Sequence, residues 1–359
     1  MSPQTNDTNT VPSIVTTPQE QVLLTDYPSR DDQPPRKRRW GRWLVLIGVV
    51  LIMAVGYANA QNIEDRWKLH NYHAPSSVSQ LAAQDTMTAY GRKLLYLNEP
   101  DIADKTAFST QCLNKDQEQS IVLGCYHSVE NGIYLLKVTD PRLNGVEQVT
   151  AAHEMLHAAY DRLSPSERKK VDAMLEDYYQ HHLSDPRVIN EIALYKKTEP
   201  NDVVNEMHSV FGTEVGSLPP QLEQYYKKYF TNRTVIVNYA NQYQATFTAL
   251  QNQVKDDDTQ LASMKTAIDK LQASLNSQVT VINQQQQNLK QLRVTDQAGY
   301  NAAVPGYNKL VDAYNSDVKA LDALVRGYNA LVDRRNAIAL QEQQLSNDLN
   351  ANATPITSN

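Results

Sequence analysis

Val146-Glu147-Gln148-Val149-Thr150-Ala151-Ala152-His153-Glu154-Met155-Leu156-His157-Ala158-Ala159-Tyr160 is an Ala-rich run without Gly or Pro. Such a run reads as a helix, and Val149, Ala152, Leu156 and Tyr160 recur at steps of three and four, marking one buried face. Residues four apart lie one turn above each other, so His153 and His157 point the same way from a neighbouring face. Two imidazoles in that arrangement are half of a zinc site, and Glu154, one step round, is placed as a general base.

The flanks agree with that reading. Ser164-Pro165-Ser166-Glu167 is a capping box with Pro at the first helical position, so a second helix is expected over 165–181. Upstream, the apolar runs Ser120–Tyr126 and Gly132–Val138 are separated by the turn-like Ser128-Val129-Glu130-Asn131-Gly132. They predict a hairpin of two strands leading into the metal helix.

A catalytic zinc needs a third protein ligand and an open position for water. Asn205-Glu206-Met207-His208-Ser209-Val210-Phe211-Gly212-Thr213-Glu214 lies downstream in another stretch that reads as a helix. His153-Glu154-Met155-Leu156-His157 together with Asn205-Glu206-Met207-His208-Ser209 resembles the paired motifs of the HExxH zinc metallopeptidases of the zincin superfamily, gluzincin or thermolysin-like branch. The resemblance implies His153, His157 and Glu206 as metal ligands, Zn²⁺ as cofactor and Glu154 as catalytic base. It implies hydrolysis of a peptide or protein substrate by a zinc-activated water, with Glu154 passing the proton on to the leaving amine. It covers two motifs rather than a whole domain. Val210 stands where the family's ligand helix has an Asp that orients a zinc-bound His, and the chain between His157 and Glu206 is longer than in thermolysin. His208 and Glu214 therefore stay open as alternatives to Glu206. In zincins the substrate commonly lies along an edge strand near the metal helix, which makes the Gly132–Val138 run the candidate here.

The two cysteines, Cys112 and Cys125, lack zinc-finger spacing. In an oxidising compartment they would pair, and a loop of that size contributes roughly 3 kcal/mol to stability. The compartment is read from the N-terminal part. Residues 1–39 are rich in Pro, Ser, Thr, Asn, Gln and Asp and are expected to be a disordered cytoplasmic tail. Arg36-Lys37-Arg38-Arg39 then precedes an apolar run from Trp43 to Ala60. The run is at the short end for a transmembrane signal-anchor, here residues 40–60, and the basic cluster places the chain beyond Ala60 outside the cytoplasm. Cleavage after Ala60, at Ala58-Asn59-Ala60, would instead release the protein.

From about residue 235 a heptad takes over. Phe247, Val254, Leu261, Ile268, Leu275, Ile282 and Leu289 recur every seven residues, beside a less regular row that contains Asp257 and Gln278. After Val294–Gly299 and Pro305-Gly306 the pattern resumes, with Leu310, Leu324, Leu331, Ile338 and Leu345 in a row broken by Asp317. Two long helices around a Gly/Pro turn predict a coiled-coil hairpin, with a first arm of about 85 Å. Whether the arms pair within one chain, or the first arm makes a homodimer or binds a partner protein, is open at this level.

The 359-residue chain carries a net charge of −6. It has no basic stripe beyond position 39, so no nucleic-acid partner is expected. The expected architecture is an α+β zincin-like domain over 61–232, mostly helical with a small sheet. One transmembrane helix precedes it, a helical hairpin over 233–349 comes after it, and 350–359 form a disordered tail. The function read from this is a membrane-anchored, extracytoplasmic zinc metallopeptidase of the bacterial cell envelope, acting on proteins or on a wall peptide. The competing reading is a non-catalytic envelope scaffold or adaptor that works through its coiled coil.

Overall fold

A computed structural model describes residues 40–112, 122–129 and 132–350. The expected tails, residues 1–39 and, apart from Asn350, 350–359, lie outside the described residues, as do residues 113–121 and 130–131. The chain divides into two units, Met1–Ala60 and Gln61–Asn359.

The first unit holds helix α1 (Trp40–Ala58). Its apolar side chains, from Trp43 to Val55, are largely exposed. Among the described residues no single helix is long and apolar enough to cross a membrane, so the one transmembrane helix expected over 40–60 is not found as a single span.

The second unit is mostly helical around a three-stranded sheet. Helices α2 (Ala60–Asn71), α3 (Ser76–Gln84) and α4 (Ala89–Leu97) come before the first strand, and α5 (Lys105–Cys112) after it. Helix α6 (Val146–Asp161) runs through the middle, and the structure corrects the expectation of a single buried face. All but three of its residues are buried. Small residues make this workable: Ala151, Ala152, Ala158 and Ala159 let neighbours approach from several sides. Gly145 starts the helix at φ 104°, a conformation that side chains rarely adopt, and any Cβ there would press on the Tyr239 backbone. Helix α7 (Pro165–His181) begins with the capping box in place, Ser164 and Glu167 bonding each other's backbone.

The sheet has the order β1-β3-β2, with β1 (Asp101–Ala103), β2 (Gly124–His127) and β3 (Gly132–Leu136). The expected hairpin is β2 antiparallel to β3, paired from Gly124↔Leu135 to His127↔Gly132. β1 adds in parallel on the far side of β3. The Gly132–Val138 run is thus corrected from edge to centre. β2 is the strand at the edge on the α6 side. Cys112, the last residue of α5, forms a disulfide with Cys125 of β2.

Helices α7 and α8 (Pro186–Thr198) fill the stretch between His157 and the second motif, which lies on α9 (Val203–Glu214), and the short α10 (Pro220–Tyr226) comes next. α9 crosses α6 at close range. A Cβ on Gly212 would overlap Leu156 Cδ1 and stand 2.8 Å from Tyr226 Cε1. Arg233, buried, bonds the carbonyls of Phe211 and Val215 at the end of α9 and pairs with Glu223.

Helix α11 (Thr234–Thr295) starts inside this core through Ile236, Val237 and Ala240 and then leaves it as the first arm of the hairpin. It turns at Asp296 into α12 (Gln297–Leu349), so the pairing is intramolecular. The expected Gly/Pro turn is narrower than the sequence suggested. Asp296 caps Gly299, and Pro305 lies within α12, on an exposed face. The polar residues that interrupt the heptad rows meet across the arms: Gln278 bonds Asp317 at 2.5 Å, and Asp257 pairs with Arg334. Such pairs fix the register of the two arms. At the root, Leu345 and Leu349 of α12 pack on Leu143 and Val146, beneath the start of α6.

The α6–α9 contact yields a stability prediction. Gly212→Ala should destabilise by about 1–3 kcal/mol, as overpacking does. Thermal denaturation beside an exposed Gly306→Ala control checks this, and equal melting temperatures would refute the tight crossing.

Candidate metal centre

His153 and His157 project from α6 towards Glu206 in the first turn of α9. Glu206 Oε2 lies 3.5 Å from His153 Nε2, and Oε1 lies 3.4 Å from His157 Nε2. One donor atom from each residue falls within 4.8 Å of the other two. Glu206 and His157 are buried, and the His153 side chain is 15% exposed. The three residues implied by the two motifs are therefore neighbours in the fold.

The donor set fits a zinc ion. Two imidazole nitrogens and one carboxylate make a three-ligand set of the catalytic type, with a position left over. The separations are long for hydrogen bonds between N and O. They match the edge of a tetrahedron, because two ligands about 2.05 Å from a common centre stand about 3.3 Å apart. Nδ1 of His157 and Oδ1 of Asn205 are buried beside this group without a partner. One is a donor and the other an acceptor once His157 offers Nε2 as a ligand.

Glu154 is buried against strand β2, its Oε1 2.6 Å from where a Gly124 Cβ would stand. Burial raises its pKa, and the nearby His157 and His153 oppose the shift. Burial alone would lower His153, but the facing Glu206 carboxylate overrides it and lifts the pKa to about 9. Burial likewise pushes Glu206 up, yet the imidazoles and a hydrogen bond from Tyr195 hold it below the usual carboxylate value.

The two open alternatives for the third ligand face elsewhere. His208 is fully buried among Tyr160, Tyr225, Tyr226 and Tyr229, and its Nε2 bonds the Tyr225 hydroxyl at 2.8 Å. Burial drives its pKa down to about 3, so it is a neutral core residue. Glu214 Oε2 accepts from Arg187 at 2.5 Å and from Gln244 at 2.9 Å.

Sequence reasoning missed Tyr195, Asn205 and the Arg187–Glu214–Gln244 group. Asn205 stood in the quoted motif, directly before Glu206, and could have been singled out there. Tyr195 lies on α8 and carried no spacing signal. Among the described residues two more groups have metal-like spacing. In Cys112/Cys125/His127 the sulfurs are already bonded to each other, and Glu199/Asp202/Glu206 offers carboxylates alone. No family model, curated protein or solved structure matches this chain.

The raised His153 pKa fixes a pH dependence. In metal-free protein its attraction to Glu206 is fully present below about 6.5 and is lost as pH rises through about 9. Zinc must displace that proton, so the stabilisation by added zinc should grow over the same interval. Melting temperatures with and without zinc between pH 6 and 9.5 check both slopes. A zinc increment that shrinks as pH rises would contradict the ligand assignment.

Proposed function

We propose that this chain is a zinc-dependent metallopeptidase that hydrolyses peptide bonds outside the cytoplasm while held at the membrane through its N-terminal apolar segment. The observation that carries the reading is the convergence of His153, His157 and Glu206, with Glu154 one residue from the first ligand. A structural zinc site has no use for an acidic group in that position, whereas hydrolysis does.

A zinc ion held by His153, His157 and Glu206 supplies a Lewis acid that acidifies water towards neutrality and polarises a carbonyl. Glu154 takes the proton from the attacking water and delivers it to the leaving amine. Its burial suits both halves of that task, because a raised pKa brings the group closer to the working pH. Tyr195 stands beside the Glu206 carboxylate, and burial among acidic groups keeps its hydroxyl protonated. With Glu206 committed to a metal, its one O–H is free to turn to the developing oxyanion. The outer side of β2, unpaired among the described residues, lies near Glu154, where an extended substrate can add as a further strand.

The membrane part of the proposal rests on composition. A cluster of four basic residues precedes the apolar run, and the exposed apolar length of α1 needs a non-aqueous cover. The Cys112–Cys125 disulfide fits an oxidising compartment.

Three substitutions separate the roles. Glu154→Gln should keep zinc and lower peptide hydrolysis at least ~10²-fold. Tyr195→Phe should also keep zinc and lower kcat by ~10² with little change in KM. His153→Ala should lose the metal itself. Zinc content by elemental analysis beside peptide-cleavage rates reads all three, and full activity in Glu154→Gln would sink the mechanism.

A further inference from the structure

Glu154 is not held by its own helix alone. The backbone of β2 lies directly on it. At Gly124, the first residue of the strand, an added Cβ would stand 2.6 Å from Glu154 Oε1, 2.8 Å from Glu154 Cγ and 2.5 Å from Thr150 Cγ2. Thr150 cannot turn aside cheaply, because its hydroxyl donates to the Val146 carbonyl at 2.8 Å. The distance between strand and helix is therefore gauged at one residue without a side chain, and the group in contact is the proposed base.

β2 has four residues and pairs only with β3 among the described residues. So short a strand at a sheet edge is loosely held by its ladder alone. Two ties fix it to the end of α5. Cys125, next to Gly124, is bonded to Cys112. His127 Nε2, two residues on, lies 3.1 Å from the Gln111 carbonyl. Both ties reach neighbouring residues, Gln111 and Cys112, and they hold the strand at the height where Gly124 meets Glu154.

We propose that Gly124 and the Cys112–Cys125 disulfide are positioning elements for Glu154: the disulfide pins the edge strand, and the bare backbone of Gly124 sets where the carboxylate stands. The activity part of this inference rests on the peptidase reading; the strand-pinning part does not. A misplacement of the base by about 1 Å is enough to cost ~10²-fold in rate without loss of the metal.

The test uses the full chain, zinc-loaded, in four forms beside the parent. These are Gly124→Ala, the Cys112→Ser/Cys125→Ser pair, their combination, and Gly124→Ala with Thr150→Ser. The last removes the Thr150 methyl while keeping the hydroxyl. Gly124→Ala and the disulfide-free form should each keep one zinc per chain and lose ~10–10²-fold in kcat, with KM within about twofold. Their combination should lose less than the product of the two, since both act on one strand. Thr150→Ser should restore part of the Gly124→Ala loss. Hydrogen exchange should quicken at Cys125–His127 in the disulfide-free form while α6 stays protected. Unchanged kcat in the first two forms, or a fall shared equally with zinc content, would overturn the positioning role. Should the parent bind zinc yet cleave nothing, the peptidase reading fails and exchange decides the pinning: unchanged rates at Cys125–His127 overturn it.

Discussion

The close crossing of α6 and α9 is the constraint on which the centre depends. Gly212 lets the Leu156 side chain and the Tyr226 ring come in where any side chain would stand. Tyr226 then ties α10 to α9 by donating to the His208 carbonyl at 2.7 Å. Only at this separation does Glu206, less than two turns before Gly212, stand opposite both imidazoles. The rest of the unit secures that crossing from either end. Arg233 holds the carbonyls at the end of α9, and the root of the hairpin packs under the start of α6. The long arms thus begin as part of the core, and Gln244 on the first arm reaches Glu214 on the ligand helix.

The group of His153, His157 and Glu206 could hold a cation, and without one its charges are settled by protons. Glu154 and Glu206 are buried around two imidazoles, and burial alone disfavours every charged form in that group. The metal-free chain answers by moving protons: His153 holds one more tightly than usual, and Glu206 stays ionised beside it. His208 shows the contrast. Buried just as deeply but turned into a cage of tyrosines, it loses its basicity and takes no part.

Much of the fold was legible because it is written in local signals. The capping box at Ser164 and Glu167 started α7 where it begins, the two apolar runs became β2 and β3, and the heptad rows became the paired arms. What stayed hidden was set by tertiary partners. β1 is three residues long, too short for any alternation, and exists because β3 has a free side. Without β1 in view, β3 passed for the edge. Pro305 passed for a turn residue, although α12 runs through it at an exposed position. Asp257, Gln278 and Asp317 read as faults in the heptad, and their meaning came only from residues on the opposite arm. In the site, the motif residues could be named in advance because spacing on one helix is geometry. Tyr195 and Gly124 could not, since each matters through an element far away in the chain.

The central claim is that His153, His157 and Glu206 together hold one metal ion. It is tested most directly by elemental analysis of the purified, folded full chain after dialysis against a weak chelator. The account predicts about one zinc per chain, as three protein ligands with an open position should retain. A folded chain that retains no metal after exposure to zinc would contradict it. His153, Glu154 and His157 would then be ordinary members of a buried helix, and the hairpin would be the part of the molecule left to explain.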